Sequence, residues 1–338
     1  MTATIRDVAR HAGVGIGTVS RVLNNNASVS PQTRQRVLEV IAQLDFVPSQ
    51  IARSFVSGKT RMIAVIAPFF TRPSVVERLR GIEGILTRYG YDLVVFNVET
   101  LDRRLACLRE VPRRDRYDGV IIISLSPSSD EMTHLISSEL PVVLIDAFAH
   151  TIPSVIINDM IGGELATQHL LDLGHRQIGF IGDPDKDPLN FNVTSSYNRH
   201  MGYINSLKRA GIAVRSRYYR GCQHERAISR QLAYEMLRQS EPPTAIFAAS
   251  DTHAMGVLEA ARDRGLLLPE QLSVIGFDDI VIAEHLGLST IRQPLMVSGQ
   301  RGAEILVGLL SGHAPKSLVE SLKIELIPRR TTVQYLRS

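Results

Sequence analysis

From Arg61 onward the chain is built on eight short apolar runs: MIAVIA (62–67), DLVVFNV (92–98), GVIIIS (119–124), PVVLIDA (141–147), SVIIND (154–159), QIGFIG (177–182), AIFAAS (245–250) and SVIGFDD (273–279). Segments of helical period, such as 75–89, 161–173 and 253–264, lie between most of them. A continuously apolar strand has to be covered on both faces, and an intervening helix lets successive strands run parallel. The pattern predicts parallel sheets clad in helices. About 270 residues with some ten strands exceed one small sheet, so two similar α/β lobes with a ligand cleft between them are expected. No internal repeat is visible in the letters.

The first 60 residues differ in texture and in charge. They hold seven Lys and Arg against three Asp and Glu, whereas the rest of the chain balances at 31 of each, so the whole excess of +4 sits at this end. A small basic unit suits a polyanionic partner, although a solvated basic face has the same composition. Residues 1–46 read as three short helices. Thr4 and Asp7 form a capping box for the first, Ile5, Val8, Ala9 and Ala12 give it an apolar face, and Gly13 ends it. Ser30–Pro31 opens the third, with Val37, Leu38, Ile41 and Leu44 as its apolar face. Residues 47–60 read as a linker that can become a helix, with Ile51 and Phe55 four apart, too short to stand alone in water.

Between the first two helices stands GVGIGTVSRVLN (13–24). As a dinucleotide loop it fails: the third glycine comes one residue early, no strand precedes it, and helices rather than a βαβ unit follow. As a helix-turn-helix every position fits. The second helix turns Val19, Val22 and Leu23 inward and Thr18, Ser20 and Arg21 outward.

TIRDVARHAGVGIGTVSRVLN followed by VSPQTRQRVLEVIAQLDFVPSQIARSF resembles the DNA-binding headpiece and hinge of the LacI/GalR family of bacterial transcription regulators. The likeness continues in RGIEG, GVII, PVVLID, ATQHLLDLGHRQIGFIG, RHMGY, AIFAASDTHAMGVLEAARDRGLLLPEQLSVIGFDD, STIRQP and IPRRTTV. It implies an all-α helix-turn-helix headpiece (1–46), a hinge (47–60) and a two-lobed, periplasmic-binding-protein-like α/β domain with parallel-sheet lobes. The first lobe is expected to comprise 61–160 and 291–318, and the second 161–290 and 319–338.

The same resemblance implies where DNA is met. Ile16, Gly17 and Arg21 stand at base-reading positions of the helix placed in the major groove. Arg21 suits guanine, at about 1–3 kcal/mol of discrimination, and Ile16 suits a thymine methyl. Thr4, Thr18, Ser20, Asn24, Ser30 and Thr33 match phosphate-holding positions, with capping as the competing use of Ser30. Gly15 replaces a common serine at a helix N-cap, a loss of a few tenths of a kcal/mol. Gly17 replaces a bulkier reader and costs up to about 1 kcal/mol of helix propensity. Both could admit close backbone approach to a phosphate, leaving Arg21 as the main reader. In the hinge, Phe55 stands where the family wedges a leucine into the minor groove, with Arg53 along the same groove; packing between headpiece and lobes is the other use of Phe55.

For the effector cleft the resemblance implies Arg199 of an R-x-x-G pattern, Asp278 of GFDD, Asp146 of VVLID, and Ser250 and Asp251 of AASD. The acids also suit strand-end helix caps. The usual aromatic platforms are absent: Ser74 and Gln223 stand near their places, with Phe70, Phe69, Phe191 or Tyr197 as substitutes. The missing face tells against a typical sugar pocket, while a sugar or related metabolite remains the expected class of effector.

Other chemistries fall away. Cys107 and Cys222 form no CxxC, which disfavours a disulfide framework or thiolate metal site. DPDKDP (183–188) has Pro188 where a calcium loop needs Gly and Thr194 where it needs Glu. There is no HExxH or G-x-S-x-G spacing. Neither cofactor, metal nor catalytic apparatus is expected. The start lacks the pattern of a secretory signal, and no apolar run reaches the ~20 residues of a membrane span, so a cytoplasmic, nucleoid-associated protein is expected. With no heptad tail after IPRRTTV, a homodimer is expected over a tetramer, bound to a pseudo-palindromic DNA operator. A two-lobed solute-binding protein, an enzyme using GVGIG as a cofactor loop, and a regulator without an effector are the alternatives.

Overall fold

The computed structural model describes residues 3–23, 26–46, 59–184, 194–222 and 224–336. The chain divides into two compact units, Met1–Arg61 with Asp115–Asp118, and Met62–Arg114 with Gly119–Ser338.

The first unit carries α1 (Ile5–Ala12), α2 (Ile16–Leu23) and α3 (Pro31–Gln43). The Thr4–Asp7 capping box forms in both directions, and Gly13 closes α1 in the left-handed region at φ 64°. Val8, Ala9, Ala12, Val19, Val22, Val37 and Val40 make the core, with Ile5, Val14, Leu23, Ile41, Leu44 and Phe46 packed against it. The expected inward face of α3 needs one correction. Leu38 is exposed, and Val40 takes the buried place. With 3.6 residues per turn, Val37, Val40, Ile41 and Leu44 share one side and Leu38 points away from it.

The second unit holds β1 (Met62–Pro68), α4 (Pro73–Arg88), β2 (Asp92–Val98), α5 (Leu101–Glu110), β3 (Gly119–Ile123), α6 (Ser129–Ser137), β4 (Val142–Ile145) and β5 (Ser154–Ile156). Next come α7 (Asp159–Asp172), β6 (Ile178–Gly182), α8 (Ser195–Arg209), β7 (Tyr219–Gly221), α9 (Arg226–Leu237), β8 (Ala245–Ala248), α10 (Asp251–Asp263), β9 (Ser273–Asp278), α11 (Val281–Leu286) and β10 (Ser289–Arg292). The chain finishes with α12 (Leu295–Leu310), β11 (Val319–Ser321) and β12 (Glu325–Ile327).

Two six-stranded sheets result, ordered β11-β5-β4-β3-β1-β2 and β12-β10-β9-β8-β6-β7. The first is parallel throughout; the second is parallel except for β12, which runs antiparallel to β10. Central strands β1, β3, β4, β6, β8 and β9 are buried along almost their whole length, as continuous apolar runs require.

Among the described residues the chain passes between lobes three times, at 157–158, 293–294 and 322–324, and the expected boundaries shift accordingly. α7 packs its buried face in the second lobe from Asp159 on. Residues 291–292 complete β10 of the second sheet, and 319–321 pair with β5 of the first rather than joining the second lobe. A strand's allegiance is decided by its hydrogen-bonding partner, which local letters do not specify.

A repeat that the letters conceal appears in three dimensions. The lobes share strand order, and each packs a helix pair through reciprocal glycines. A Cβ on Gly81 of α4 would meet the Met296 carbonyl oxygen of α12 at 2.1 Å, and one on Gly299 of α12 would meet that of Arg78 at 2.0 Å. In the second lobe, Gly163 of α7 faces the Arg199 carbonyl oxygen at 2.1 Å and Gly202 of α8 that of Met160 at 2.2 Å. Only glycine permits backbones this close. Each pair contains R-x-x-G: Arg78–Gly81 in one lobe, Arg199–Gly202 in the other.

Candidate functional site

The exposed edge of the first unit is the start of α2. The Gly15 carbonyl accepts from the amides of Thr18 and Val19 at 2.8 and 3.2 Å, which makes Gly15 the residue that opens the helix. A Cβ on Gly15 or Gly17 would meet nothing within 4 Å. Nothing in the fold of this unit therefore demands glycine at either position. Ile16 is 47% exposed although apolar, and Arg21 is exposed beside it, its Nε donating to the Gly17 carbonyl at 3.1 Å. Thr18 and Ser20 lie partly exposed on the same helix, while Val19 and Val22 anchor its opposite side.

Two hydroxyls expected to meet phosphate donate locally instead. Thr4 Oγ1 donates to Asp7 Oδ2 at 2.7 Å. Ser30 Oγ donates to Thr33 Oγ1 at 2.9 Å and accepts from the Thr33 amide at 3.3 Å. Both remain at exposed helix starts, where amide groups and the helix dipole favour an anion.

In the second unit the carboxyl ends of the strands surround a cavity of about 50 Å³, lined from the first lobe by Pro68, Arg72, Ser74, Val75, Arg78, Ser124 and Asp146. From the second lobe come Asp183, Ser195, Arg199, His224, Ala249 and Asp278, with Gln293 on the crossover. Ligands of open α/β sheets are held at such strand ends, where the connections diverge. A chain of polar contacts runs through this wall. Ser124 Oγ donates to Asp146 Oδ2 at 2.6 Å, and Arg78 Nη2 stands 3.2 Å from the same oxygen. Arg78 Nη2 also donates to Gln293 Oε1 at 3.0 Å, and Gln293 Nε2 donates to Asp278 Oδ1 at 2.5 Å. Arg199 Nη1 lies 3.6 Å from Asp278, donates to the Ala249 carbonyl at 2.7 Å, and its Nε donates to Asp159 at 2.8 Å. The Arg199 guanidinium also caps the Phe277 ring at 3.6 Å.

Burial sets the electrostatics here. It pushes Asp159 up to about 6, the Arg199 charge opposing and the Asp146 charge assisting. Burial likewise raises Asp278 against the pull of Arg199. For Arg199 burial alone would lower the pKa, but Asp159, Asp278 and Asp146 together raise it. Ser124, Asp146 and Asp278 all take positive φ, at 52°, 56° and 114°. Non-glycine residues are seldom held so unless surroundings fix them, and such positions concentrate at binding sites.

At one end of the cavity stand Asp183, after β6, and His224, after β7, with His253 of α10 behind them. Burial pushes His253 down to about 3. Burial opposes the charge of Asp183, yet contact with His224, with His253 and Arg72 beyond, holds its carboxyl well below the usual range. Cys222, buried near Asp183, is pushed up to about 12.

Residues 4–49 match bacterial regulatory proteins of the lacI family, and residues 167–332 match a periplasmic binding protein-like domain. Catabolite control protein A of Priestia megaterium is 34% identical over 331 residues, covering 96% of this chain and 97% of that protein. The chain belongs to the LacI family. Among solved structures, the Lac repressor dimer bound to operator and the anti-inducer ONPF matches with a TM-score of 0.84 at 26% identity, covering 98% of this chain and all of that one. A LacI family regulator of Enterococcus faecium with bound ribose matches at 0.71 and 26% identity, over 81% of this chain and all of its own. This LacI-family chain is a DNA-binding transcriptional repressor with a helix-turn-helix unit and a two-lobed α/β domain. Its relatives are regulators rather than enzymes.

The residues expected in the effector cleft of this LacI-family protein separate into two groups. Ser74, Asp146, Arg199 and Asp278 line the cavity. Ser250, Asp251 and Phe70 do not. Ser250 caps α10, accepting from the His253 amide at 3.2 Å. Asp251 is buried beneath the sheet end, where its carboxylate accepts from the Ile280 amide at 2.9 Å and from Thr290 Oγ1 at 2.6 Å. Phe70 is exposed, its amide donating to Asn97 Oδ1 at 3.1 Å. Asn24, Arg53, Phe55 and Gln223, with Phe191, lie outside the described residues. Sequence reasoning missed Arg78, Arg72 and Gln293. The second R-x-x-G is the signal for Arg78, but its equivalence to Arg199 lies in the repeat of the two lobes, which the letters do not show.

Proposed function

We propose that this LacI-family repressor acts as a cytoplasmic homodimer on a pseudo-palindromic operator and is controlled by a small, hydroxyl-rich metabolite held in the cleft. The observation that carries the effector reading is the continuous polar chain Asp146–Arg78–Gln293–Asp278–Arg199, which joins the two lobes across the cavity wall. A ligand that exchanges hydrogen bonds with this chain would favour one lobe arrangement, and so shift an equilibrium that the DNA-binding unit reads. Three arginines and three aspartates line the cavity, and apart from the His224 imidazole no aromatic ring does so among the described residues. That lining suits a compact neutral or zwitterionic polyol better than a flat or multiply anionic ligand. On DNA, Ile16 and Arg21 carry the base contacts, with Gly15, Gly17, Thr4, Thr18, Ser20, Asn24, Ser30 and Thr33 along the phosphates, and Arg53 and Phe55 in the minor groove.

The size of the cavity favours a second reading. About 50 Å³ holds a water or two rather than a sugar, so either the lobes open to admit an effector or the internal ion pairs alone hold one state. Selection of bound sites from randomised duplex DNA tests the operator; a pseudo-palindrome is expected, with enrichment at the Arg21-contacted base lost in Arg21→Ala. Salt-sensitive binding with no enriched sequence would overturn sequence-specific readout. Melting shifts across pentoses, hexoses and polyols then separate an effector-controlled repressor from one that answers to none.

A further inference from the structure

The corner formed by Asp183, His224 and His253 has a composition that sugar recognition does not require. One ligand-type atom from each lies within 4.8 Å of the other two. His224 Nδ1 stands 3.7 Å from Asp183 Oδ2, and the two imidazoles meet edge to face at 4.7 Å between centroids. His253 is fully buried. Its Nδ1 lies 2.8 Å from Ser250 Oγ, which also stands 3.5 Å from His224 Nε2, and its own Nε2 is buried with no hydrogen-bond partner among the described residues. Buried polar atoms are ordinarily satisfied, so an orphaned imidazole nitrogen needs a reason. In the tautomer whose Nδ1 donates to Ser250, Nε2 keeps its lone pair, and an outer contact of this kind is how a metal-ligating histidine is held.

We infer that Asp183, His224 and His253 form a site for one first-row transition-metal dication of the zinc class. Two imidazoles and a carboxylate are ligands for such an ion rather than for calcium or magnesium. Three protein ligands leave a fourth position open, and since Asp183 and His224 both line the cavity, that position faces the cleft. Tetrahedral ligands at zinc distances sit about 3.3 Å apart, so the partly exposed Asp183 and His224 close in on the fixed His253. Arg72 lines the same cavity from the first lobe. A cation in this corner would therefore suit an anionic oxygen from the cleft as its fourth ligand. The regulatory consequence, a metal that helps to hold the lobes together, rests on the cleft reading given above; the metal site itself does not.

Calorimetric titration of the untagged full-length chain with zinc chloride tests it, alongside Asp183→Asn and His253→Gln. One zinc per chain is expected, with affinity lowered at least a hundredfold in both variants and with cobalt giving a visible tetrahedral absorption in the unsubstituted chain alone. Asp183→Asn keeps the shape of a partly exposed residue and serves if His253→Gln does not fold. Uptake well below one per chain, or the same affinity in Asp183→Asn, would overturn the site. Operator affinity measured with and without zinc separates the two claims. Zinc bound one-to-one with unchanged operator affinity keeps the metal site and overturns its coupling to DNA.

Discussion

His175 shows what one buried side chain contributes. It follows the Gly174 turn at the end of α7 and is almost wholly buried. Its Nδ1 lies 2.9 Å from Thr244 Oγ1, and its Nε2 lies 3.1 Å from Ser273 Oγ and 3.2 Å from the Val333 carbonyl. The ring thus ties three separated segments of the second lobe. Burial lowers its pKa from 6.5, and His169 nearby is lowered for the same reason. The unfolded chain takes up these protons near 6.5 while the folded protein resists them. Their contribution is complete above that value and is lost as pH falls beneath it. Asp159, raised to about 6, works in the opposite direction over the interval between 3.8 and that value. Urea midpoints at about pH 7.5 and pH 5.5 should show a smaller acid loss in His175→Gln than in the unsubstituted protein. Equal losses in the two would place the acid sensitivity elsewhere.

Among elements, the reciprocal glycine pairs decide the spacing of α4 on α12 and of α7 on α8. These helices deliver Arg78 and Arg199 to the cavity wall, so their separation fixes how deep each guanidinium reaches. Alanine is the better helix former by roughly 1 kcal/mol, but at Gly299 its Cβ would stand 2.0 Å from the Arg78 carbonyl oxygen. A backbone atom cannot swing aside as a side-chain tip can. The steric loss therefore prevails, and Gly299→Ala should destabilise the protein by about 1–3 kcal/mol, read from chemical unfolding. An unchanged or raised midpoint would mean that the pair is looser than the contact implies. Gly15 and Gly17 are the contrast, since a Cβ there meets open space, and whatever selects glycine at α2 lies outside the fold of that unit.

For the whole two-lobed domain, Gln293 is a cavity-wall side chain placed on a crossover, where it accepts from Arg78 of one lobe and donates to Asp278 of the other. Arg78 and Asp278 are both buried, so losing Gln293 strips each of a partner. Gln293→Met, similar in length and apolar, should cost about 2 kcal/mol of stability, in the range of leaving buried polar groups unmatched. It should also change operator affinity if the lobes transmit through this contact. A variant that is destabilised but binds operator unchanged would assign Gln293 a purely structural part.

The letters themselves determined the elements and the order in which they occur. Capping pairs such as Thr4–Asp7 and Ser30–Pro31 act within one turn, and unbroken runs such as GVIII and MIAVIA declare strands buried on both faces. These are local interactions, and local sequence carries them. The alternation of strands and helices was enough to require parallel sheets in two lobes, and the headpiece motif was enough to point at DNA. Tertiary structure alone decided which strand pairs with which, and so moved β11 into the first lobe and the lobe crossings by a few residues. It also decided that Asp251 is an internal tie while Asp278, on a strand end of the same lobe, faces the cleft. Contacts between Arg78 and Gln293, or among Asp183, His224 and His253, join residues far apart in the chain. Their geometry depends on the depth of each strand end and the closeness of each helix pair, and no spacing in the sequence encodes either.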